Sequence, residues 1–369
     1  MREITSIEIY KGIGEIEEKL RDSRLRKFYD LGNGTFRFLF YKKEGNVHIF
    51  CSLLRTFNET KFTEGAEEAT TFAMGIRKRL ENATLTSIKQ QNSDRMIVLE
   101  FGKEGFRLVI EMFGKGNMIL LNDQNRIEIC YRIVRYRERS VGPGNPYDFP
   151  KSDAISFDDF DENELQRIFD AAPKDKKLIR YLSEYINIGP LYLEDIIKRS
   201  GLDPGGVLEN RKSDDILIAE TVKFFERIKK EKPRIYVENG IPKDFAIVDV
   251  ERYKGLESVE YPSLNELLDE IYINERSETI DEEKSESRSK IISNIKAQKE
   301  LAISTKAEAA YYAKAGSRIF ENMHEINNLI DYHQKNKNAK LEEVRKAFEG
   351  IKIKELDLKD KMVKIELDE

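Results

Sequence analysis

The sequence predicts an α+β protein in three parts. An amino-terminal β-rich domain with helices covers residues 1–150, a helical domain covers 151–262, and a coiled-coil arm covers 263–369. Three observations carry this division. Short apolar runs parted by glycine- and asparagine-bearing turns crowd the first 150 residues. Beyond about residue 160 the spacing of apolar positions turns helical, and from about Ser263 the chain becomes rich in Glu, Lys, Ser and Ala with few apolar positions.

The elements follow in order. Ile9, Ile13, Ile16 and Leu20 recur at helical spacing and predict a helix over 6–22. Strands are expected near 25–29, 35–41 and 47–54, because Gly32-Asn33-Gly34 and Glu44-Gly45-Asn46 between them are hairpin turn signals. A second helix over 65–82 places Phe72, Ile76 and Leu80 on one stripe. Further strands are expected near 84–90, 95–101, 105–112, 116–122 and 126–134, with Gly102, Gly105, Gly114 and Gly116 between them. Residues 178–200 then read as two short helices joined at Asn187-Ile188-Gly189-Pro190, where glycine permits a tight turn and proline suits a first helical turn. On the arm, Ile319, Met323, Ile326 and Ile330 step by four, three and four, a coiled-coil spacing. One such helix cannot bury its own stripe, so it wants a partner, and self-association through the arm is open. Ile351, Ile353, Leu356 and Leu358, then Val363, Ile365 and Leu367, alternate as strands do.

Composition narrows the function. Charged residues make up 36% of the 369, which fits long solvated helices, and the net charge is -5. Residues 1–150 hold 25 basic and 21 acidic side chains, a net of +4, so the remainder carries -9. Phosphate contacts are therefore sought in the amino-terminal part. Cys51 and Cys130 sit singly in apolar strands, which gives neither a disulfide framework nor a metal site. No stretch is apolar enough for a membrane span, and Met1-Arg2-Glu3-Ile4-Thr5 is no signal-peptide core, so a cytoplasmic location is expected. His48, His324 and His333 are scattered, and no nucleophile signature occurs, so no catalytic residue, metal ligand or cofactor is expected.

Three constellations remain. Asp94-Arg95 opens a strand, and neighbours on a strand point to opposite sides of the pleat. Arg95 offers a planar fork for a phosphate or base edge, and Asp94 can accept from a base amino group or a ribose hydroxyl. A salt bridge between neighbouring strands is the other reading. Arg132, Arg135, Arg137 and Arg139, interleaved with Tyr131 and Tyr136, form with Lys115, Arg77, Lys78 and Arg79 either a phosphate-tracking surface or a charged, aggregation-resistant edge. Residues around Gly189 have the layout of a helix-hairpin-helix, whose turn amides can hold a phosphate, but the same layout serves as an ordinary connection.

Asp94-Arg95, Phe113-Gly114-Lys115-Gly116-Asn117, Pro143-Gly144-Asn145-Pro146-Tyr147 and Ala315-Gly316-Ser317-Arg318-Ile319-Phe320-Glu321-Asn322 occur in the order in which similar segments occur in one family. In these segments the chain resembles the NFACT-domain family of ribosome quality-control factors. The resemblance implies that Asp94, Arg95 and an acidic residue near the start of the first helix handle transfer RNA. Glu8 stands where the family has an aspartate. It further implies a fold similar to the formamidopyrimidine-type DNA glycosylases, though Arg2 stands where they carry a catalytic proline, and the zinc cysteines are missing. In the family a returning helix and an RNA-contacting domain come next, so an amino-terminal fragment is expected. The implied function is non-enzymatic: binding a large ribosomal subunit blocked by peptidyl-tRNA and recruiting charged tRNA, so that the subunit's own peptidyl-transferase centre adds a tail. The arm's roughly seventy helical residues would reach about 100 Å at 1.5 Å each, enough to span a subunit interface. Base excision on DNA, or adhesion to fibronectin, are the alternatives.

Overall fold

The computed structural model describes residues 2–366 other than 64, 67, 103–104, 136–138, 159–161, 173–176, 208–210, 337, 350–351 and 358–361, with side chains outside 211–213, 274–292 and 355–363. The chain divides into two compact units, residues 1–277 and 278–369.

The first unit begins with helix α1 (Ser6–Leu20), whose Ile9, Ile13, Ile16 and Leu20 are buried as their spacing requires. Strands β1 (Arg24–Gly32), β2 (Thr35–Lys42), β3 (Gly45–Ser52) and β4 (Thr56–Glu59) form an antiparallel meander. Alternate residues Phe36, Phe38 and Phe40 of β2 are fully buried, and Phe28 of β1 lies against Phe36 and Phe38. Helix α2 (Thr71–Leu80) packs on β1, with Thr70 accepting from the Ala73 N–H as its cap.

A second meander follows: β5 (Leu85–Gln90), β6 (Met96–Phe101), β7 (Arg107–Glu111), β8 (Asn117–Leu121) and β9 (Ile127–Cys130). Both of its faces are apolar, and alternation sorts them. Ile97, Leu99, Leu108, Ile110 and Leu120 enter the main core. Met96, Val98, Val109, Ile119 and Leu121 build a second one, covered by Val141 and Tyr147. The covering segment starts at the short pair β10 (Val134–Arg135) and β11 (Ser140–Val141), so Pro143-Gly144-Asn145-Pro146-Tyr147 serves as a lid on the sheet.

Helices α3 (Glu162–Asp170), α4 (Leu178–Tyr185), α5 (Pro190–Arg199) and α6 (Arg211–Lys230) come next. The helical expectation fails beyond them. Strands β12 (Arg234–Glu238), β13 (Ile241–Ala246) and β14 (Glu257–Glu260) form a three-stranded sheet in the order β13-β12-β14. Its hairpin turns at Asn239-Gly240, both at positive φ (54° and 78°), a two-residue turn that favours this residue pair. One apolar cluster runs from Ile4 to Leu268, so the core is continuous across Pro150.

Helix α7 (Leu264–Glu321) starts in this unit. Leu264, Leu267 and Leu268 are buried, and the Glu15 carboxylate of α1 accepts from the Leu264 and Asn265 N–H groups at 2.9 and 3.0 Å. A negative charge on unpaired helix-start amides fixes where the helix begins.

The second unit holds the rest of α7, then α8 (Met323–Lys335), α9 (Leu341–Ala347) and the antiparallel hairpin β15 (Lys352–Asp357) and β16 (Met362–Glu366), where alternation predicted strands. Leu329, Ala339, Val344 and Ile353 form its small core. Of the heptad-spaced residues, Ile326 packs on that core, while Ile319, Met323 and Ile330 are exposed. Asn322, with φ −100° and ψ 19°, separates α7 from α8 within that stripe.

Candidate functional site

The β5–β6 hairpin ends in a tight turn, Gln91-Asn92-Ser93-Asp94. Asn92 and Ser93 sit at φ 53° and 49°, and the Asp94 N–H donates to Gln91 O at 3.0 Å. Asparagine tolerates that left-handed conformation. Three other segments hold the tip in place. The Gln90 side chain donates to Ser6 O at 2.7 Å and to Asp94 O at 2.8 Å, tying the tip to the start of α1. Ser93 is buried, and its hydroxyl accepts from the Phe157 N–H at 2.9 Å. Asn187, in the α4–α5 turn, donates to Ser93 O at 3.3 Å and to Asp94 Oδ1 at 3.2 Å, while its own carbonyl accepts from the Ser6 hydroxyl. Gly189 closes that turn at φ 94° and ψ 156°, and a Cβ there would lie 2.6 Å from Thr5 Cγ2. Only glycine lets the turn press on the start of α1. The structure therefore brings Asp94, Arg95, Glu8 and Gly189 into one neighbourhood, where three chain segments meet.

The two charges at the tip do not pair with each other. Asp94 Oδ1 accepts from the Arg95 backbone N–H at 2.7 Å and from Asn187, and Asp94 Oδ2 has no partner among the described residues. Arg95 Nη1 reaches Glu3 Oε2 at 2.6 Å, with the arginine side chain 27% and the glutamate 53% exposed. Arg95 Nε and Nη2 have no partner among the described residues.

Glu8 is placed differently: its side chain is fully buried in the first turn of α1. It accepts from the Thr5 N–H at 2.7 Å, from Arg2 Nη1 at 2.9 Å, and from Arg2 Nη2 and the Tyr192 hydroxyl by short bonds. Arg2 in turn donates to Phe245 O at 2.8 Å, lies 3.1 Å from Asp244 Oδ1, and stacks over the Phe245 ring. Burial by itself would raise the Glu8 pKa. The Arg2 charge and the bonds from Arg2, Tyr192 and Thr5 outweigh it and hold the carboxyl below its ordinary range. Burial and the adjoining Glu8 charge push the Tyr192 phenol well up. Glu8 thus reaches the surface pair indirectly: Arg2 Nη1 also donates to Glu3 O at 3.1 Å, and Glu3 holds Arg95.

The basic series divides. Lys115 and Arg135 are exposed. Arg132 donates to Gly116 O at 2.7 Å and to Lys115 O, fastening the β7–β8 turn, and stacks over Tyr131. Arg139 is drawn inward, 2.9 Å from Glu111 Oε1, where the Tyr147 hydroxyl also donates at 2.8 Å. Arg137 lies outside the described residues. Of the α2 residues, Arg77 donates to Phe28 O at 2.7 Å, and Arg79 pairs with Glu128 at 3.1 Å. A polar cleft of about 560 Å³ opens beside the tip, lined among others by Tyr10, Gln90, Asn92, Lys151 and Asp158.

Glu3 and Tyr192 went unread in the sequence as parts of this site, and Asn187 was read only as part of the turn between two helices. One local signal was present: Thr5-Ser6-Ile7-Glu8 fits a capping box, which turns the Glu8 carboxylate toward the helix-start amides.

The family model described as NFACT N-terminal and middle domains matches residues 5–369. The chain is 29% identical over 290 residues to the archaeal Rqc2 homolog aRqcH of Methanocaldococcus jannaschii, covering 73% of this chain and 42% of the relative. It is 26% identical over 279 residues to the Rqc2 homolog RqcH of Bacillus subtilis, covering 70% of this chain and 46% of that one. The chain therefore spans less than half the length of these relatives. Among solved structures, the fibrinogen binding protein from Staphylococcus aureus is similar in fold, with a TM-score of 0.59 and 21% identity over 73% of this chain and 98% of that one.

Proposed function

We propose that this chain, which belongs to the NFACT family, serves in ribosome quality control. It binds large ribosomal subunits still obstructed by peptidyl-tRNA and recruits charged transfer RNA for carboxy-terminal tailing of the stalled chain. The tail's bonds are made by the subunit's peptidyl-transferase centre, so this reading asks no catalytic residue, metal or cofactor of the chain. It places the protein in the cytoplasm; among the described residues no helix is long and apolar enough to cross a membrane.

One observation carries the reading. The β5–β6 tip presents a carboxylate and a guanidinium side by side, half-exposed, each with unused hydrogen-bonding capacity, on a backbone fixed from three directions. Fixing the frame while leaving the charges solvated suits recognition, because little ordering entropy remains to be lost on binding. Arg95 takes a phosphate or a base edge, and Asp94 Oδ2 takes a base amino group or ribose hydroxyl. Lys115 and Arg135, both exposed, add phosphate contacts with salt-dependent affinity. Glu8 and the Gly189 turn enter as supports, the first through Arg2 and the second through Asn187.

Affinity capture of the tagged protein from cells with stalled translation tests the reading. Large subunits and transfer RNA are expected in the eluate, both reduced by Arg95→Ala. Their absence from the wild-type eluate overturns it.

A further inference from the structure

We propose that Glu3 is a built-in competitor for the Arg95 fork: its carboxylate occupies, in the free protein, the position that an RNA phosphate takes in the complex. The inference deepens the reading above and rests on it.

Four features of the site lead there. Glu3 is the partner that closes on Arg95, by a single 2.6 Å contact from Nη1 to Oε2. A carboxylate and a phosphate oxygen present the same charge sign and acceptor geometry to a guanidinium, so each satisfies the donor the other would use. The glutamate is also held in place. Arg2 donates to the Glu3 carbonyl at 3.1 Å, and Arg2 is itself fixed by buried Glu8 and by Phe245 O at 2.8 Å. An anchored backbone returns the carboxylate to Arg95 after every opening, which a floppy terminus would not do. The pair is also weak enough to be displaced: Glu3 is 53% exposed, and exposed pairs contribute little. A phosphate with its released counterions competes successfully against an interaction of that size.

A carboxylate 2.6 Å from the binding cation also repels phosphates in general, so it acts as a filter. A weak, non-specific nucleic acid pays the opening cost and gains little. A ligand that also engages Asp94 recovers it. Glu3 in this account tunes selectivity through Arg95 and touches no RNA.

The test is a double-mutant cycle on the full chain, with deacylated total transfer RNA as probe and affinity measured at two salt concentrations. Glu3→Gln keeps the shape and most hydrogen bonding but removes the charge. It should tighten binding about two- to fivefold at low salt, the range an exposed pair supports, with a smaller gain at high salt. In an Arg95→Ala background the gain should vanish, because the fork it frees is gone. Persistence of the gain without Arg95 would mean general charge repulsion and overturns the proposal. So does unchanged or weaker binding by Glu3→Gln while Arg95→Ala alone weakens binding, a result that leaves the tRNA-gripping role standing. Should Arg95→Ala itself bind like wild type, the underlying reading fails and the competitor role with it.

Discussion

Two arginine–glutamate pairs draw on adjacent residues near the amino terminus, Arg2 and Glu3, and behave as different objects. Arg2–Glu8 is sunk beneath α1, its carboxylate fully buried and ringed by donors from Thr5, Arg2 and Tyr192. Arg95–Glu3 lies at the surface, with one contact and half the guanidinium unused. The residue types are the same, so sequence chemistry alone cannot rank them; surroundings do. Burial makes the first pair a fastener that holds α1, α5 and β13 together, and exposure leaves the second open to exchange partners.

The comparison breaks most readily at the buried pair. Glu8→Ala leaves the Tyr192 hydroxyl without its acceptor and Arg2 with only Asp244 and Phe245 O. It should cost about 3 kcal/mol, the low end for breaking a buried pair, seen as a large fall in melting temperature. If the loss is only a few tenths of a kcal/mol, Glu8 is no fastener and the contrast between the pairs disappears. The next largest effect lies where the α4–α5 turn meets Thr5. Gly189→Ala puts a Cβ 2.6 Å from Thr5 Cγ2 at a backbone conformation almost reserved for glycine. About 1–3 kcal/mol of strain is expected, read by denaturant unfolding. Unchanged stability would show that the turn is not pressed against α1.

Acid sharpens the same contrast. The Glu8 carboxyl titrates below its ordinary 4.5 in the folded chain, so its contribution is complete above about that pH and is lost as pH falls through the lower folded value. Glu8→Gln should therefore be less stable than wild type at neutral pH, with the gap closing under acid. Parallel stability curves for the two proteins from pH 6 to 3 would contradict this assignment.

Much of this layout was legible in the sequence, and what was not has an identifiable reason. Helix α1 and strands β1–β3 and β5–β9 announce themselves because their apolar periods are local. The β12–β14 sheet was read as helix. Its strands are short and broken by charge, with Arg234 and Glu238 ending β12, Lys243 and Asp244 in the middle of β13, and Glu257 and Glu260 ending β14. No long alternation therefore marks them, and the informative sign is the two-residue Asn239-Gly240 turn. The place of Asp94-Arg95 at a strand opening was likewise readable, whereas its framing was not. Glu3 lies 92 residues from Arg95, and Tyr192 lies 184 from Glu8. Contacts so distant follow from how meander, helices and turn pack, and no window of sequence contains them. The Thr5-Ser6-Ile7-Glu8 pattern could have warned that Glu8 faces inward, since a capping carboxylate is directed at backbone amides.

The smallest effect on stability is the most telling for function. Arg95→Ala removes a guanidinium that is 27% exposed and holds one exposed carboxylate, so melting should shift by no more than about 0.5 kcal/mol equivalent. Nothing buried is stranded, because Glu3, 53% exposed, is free to turn to water. The backbone of Arg95 keeps its bonds, its N–H to Asp94 Oδ1 at 2.7 Å and its carbonyl to the Met112 N–H at 2.8 Å, so the tip retains its shape. Transfer-RNA affinity should nevertheless fall several-fold, with a shallower dependence on salt, as expected when one phosphate contact is lost. Loss of binding without loss of fold separates a ligand-facing charge from a structural one, and Glu8→Ala supplies the opposite pattern, fold lost first. A melting drop for Arg95→Ala as deep as that for Glu8→Ala would place both pairs in the same structural class and remove the ground for treating the tip as a site.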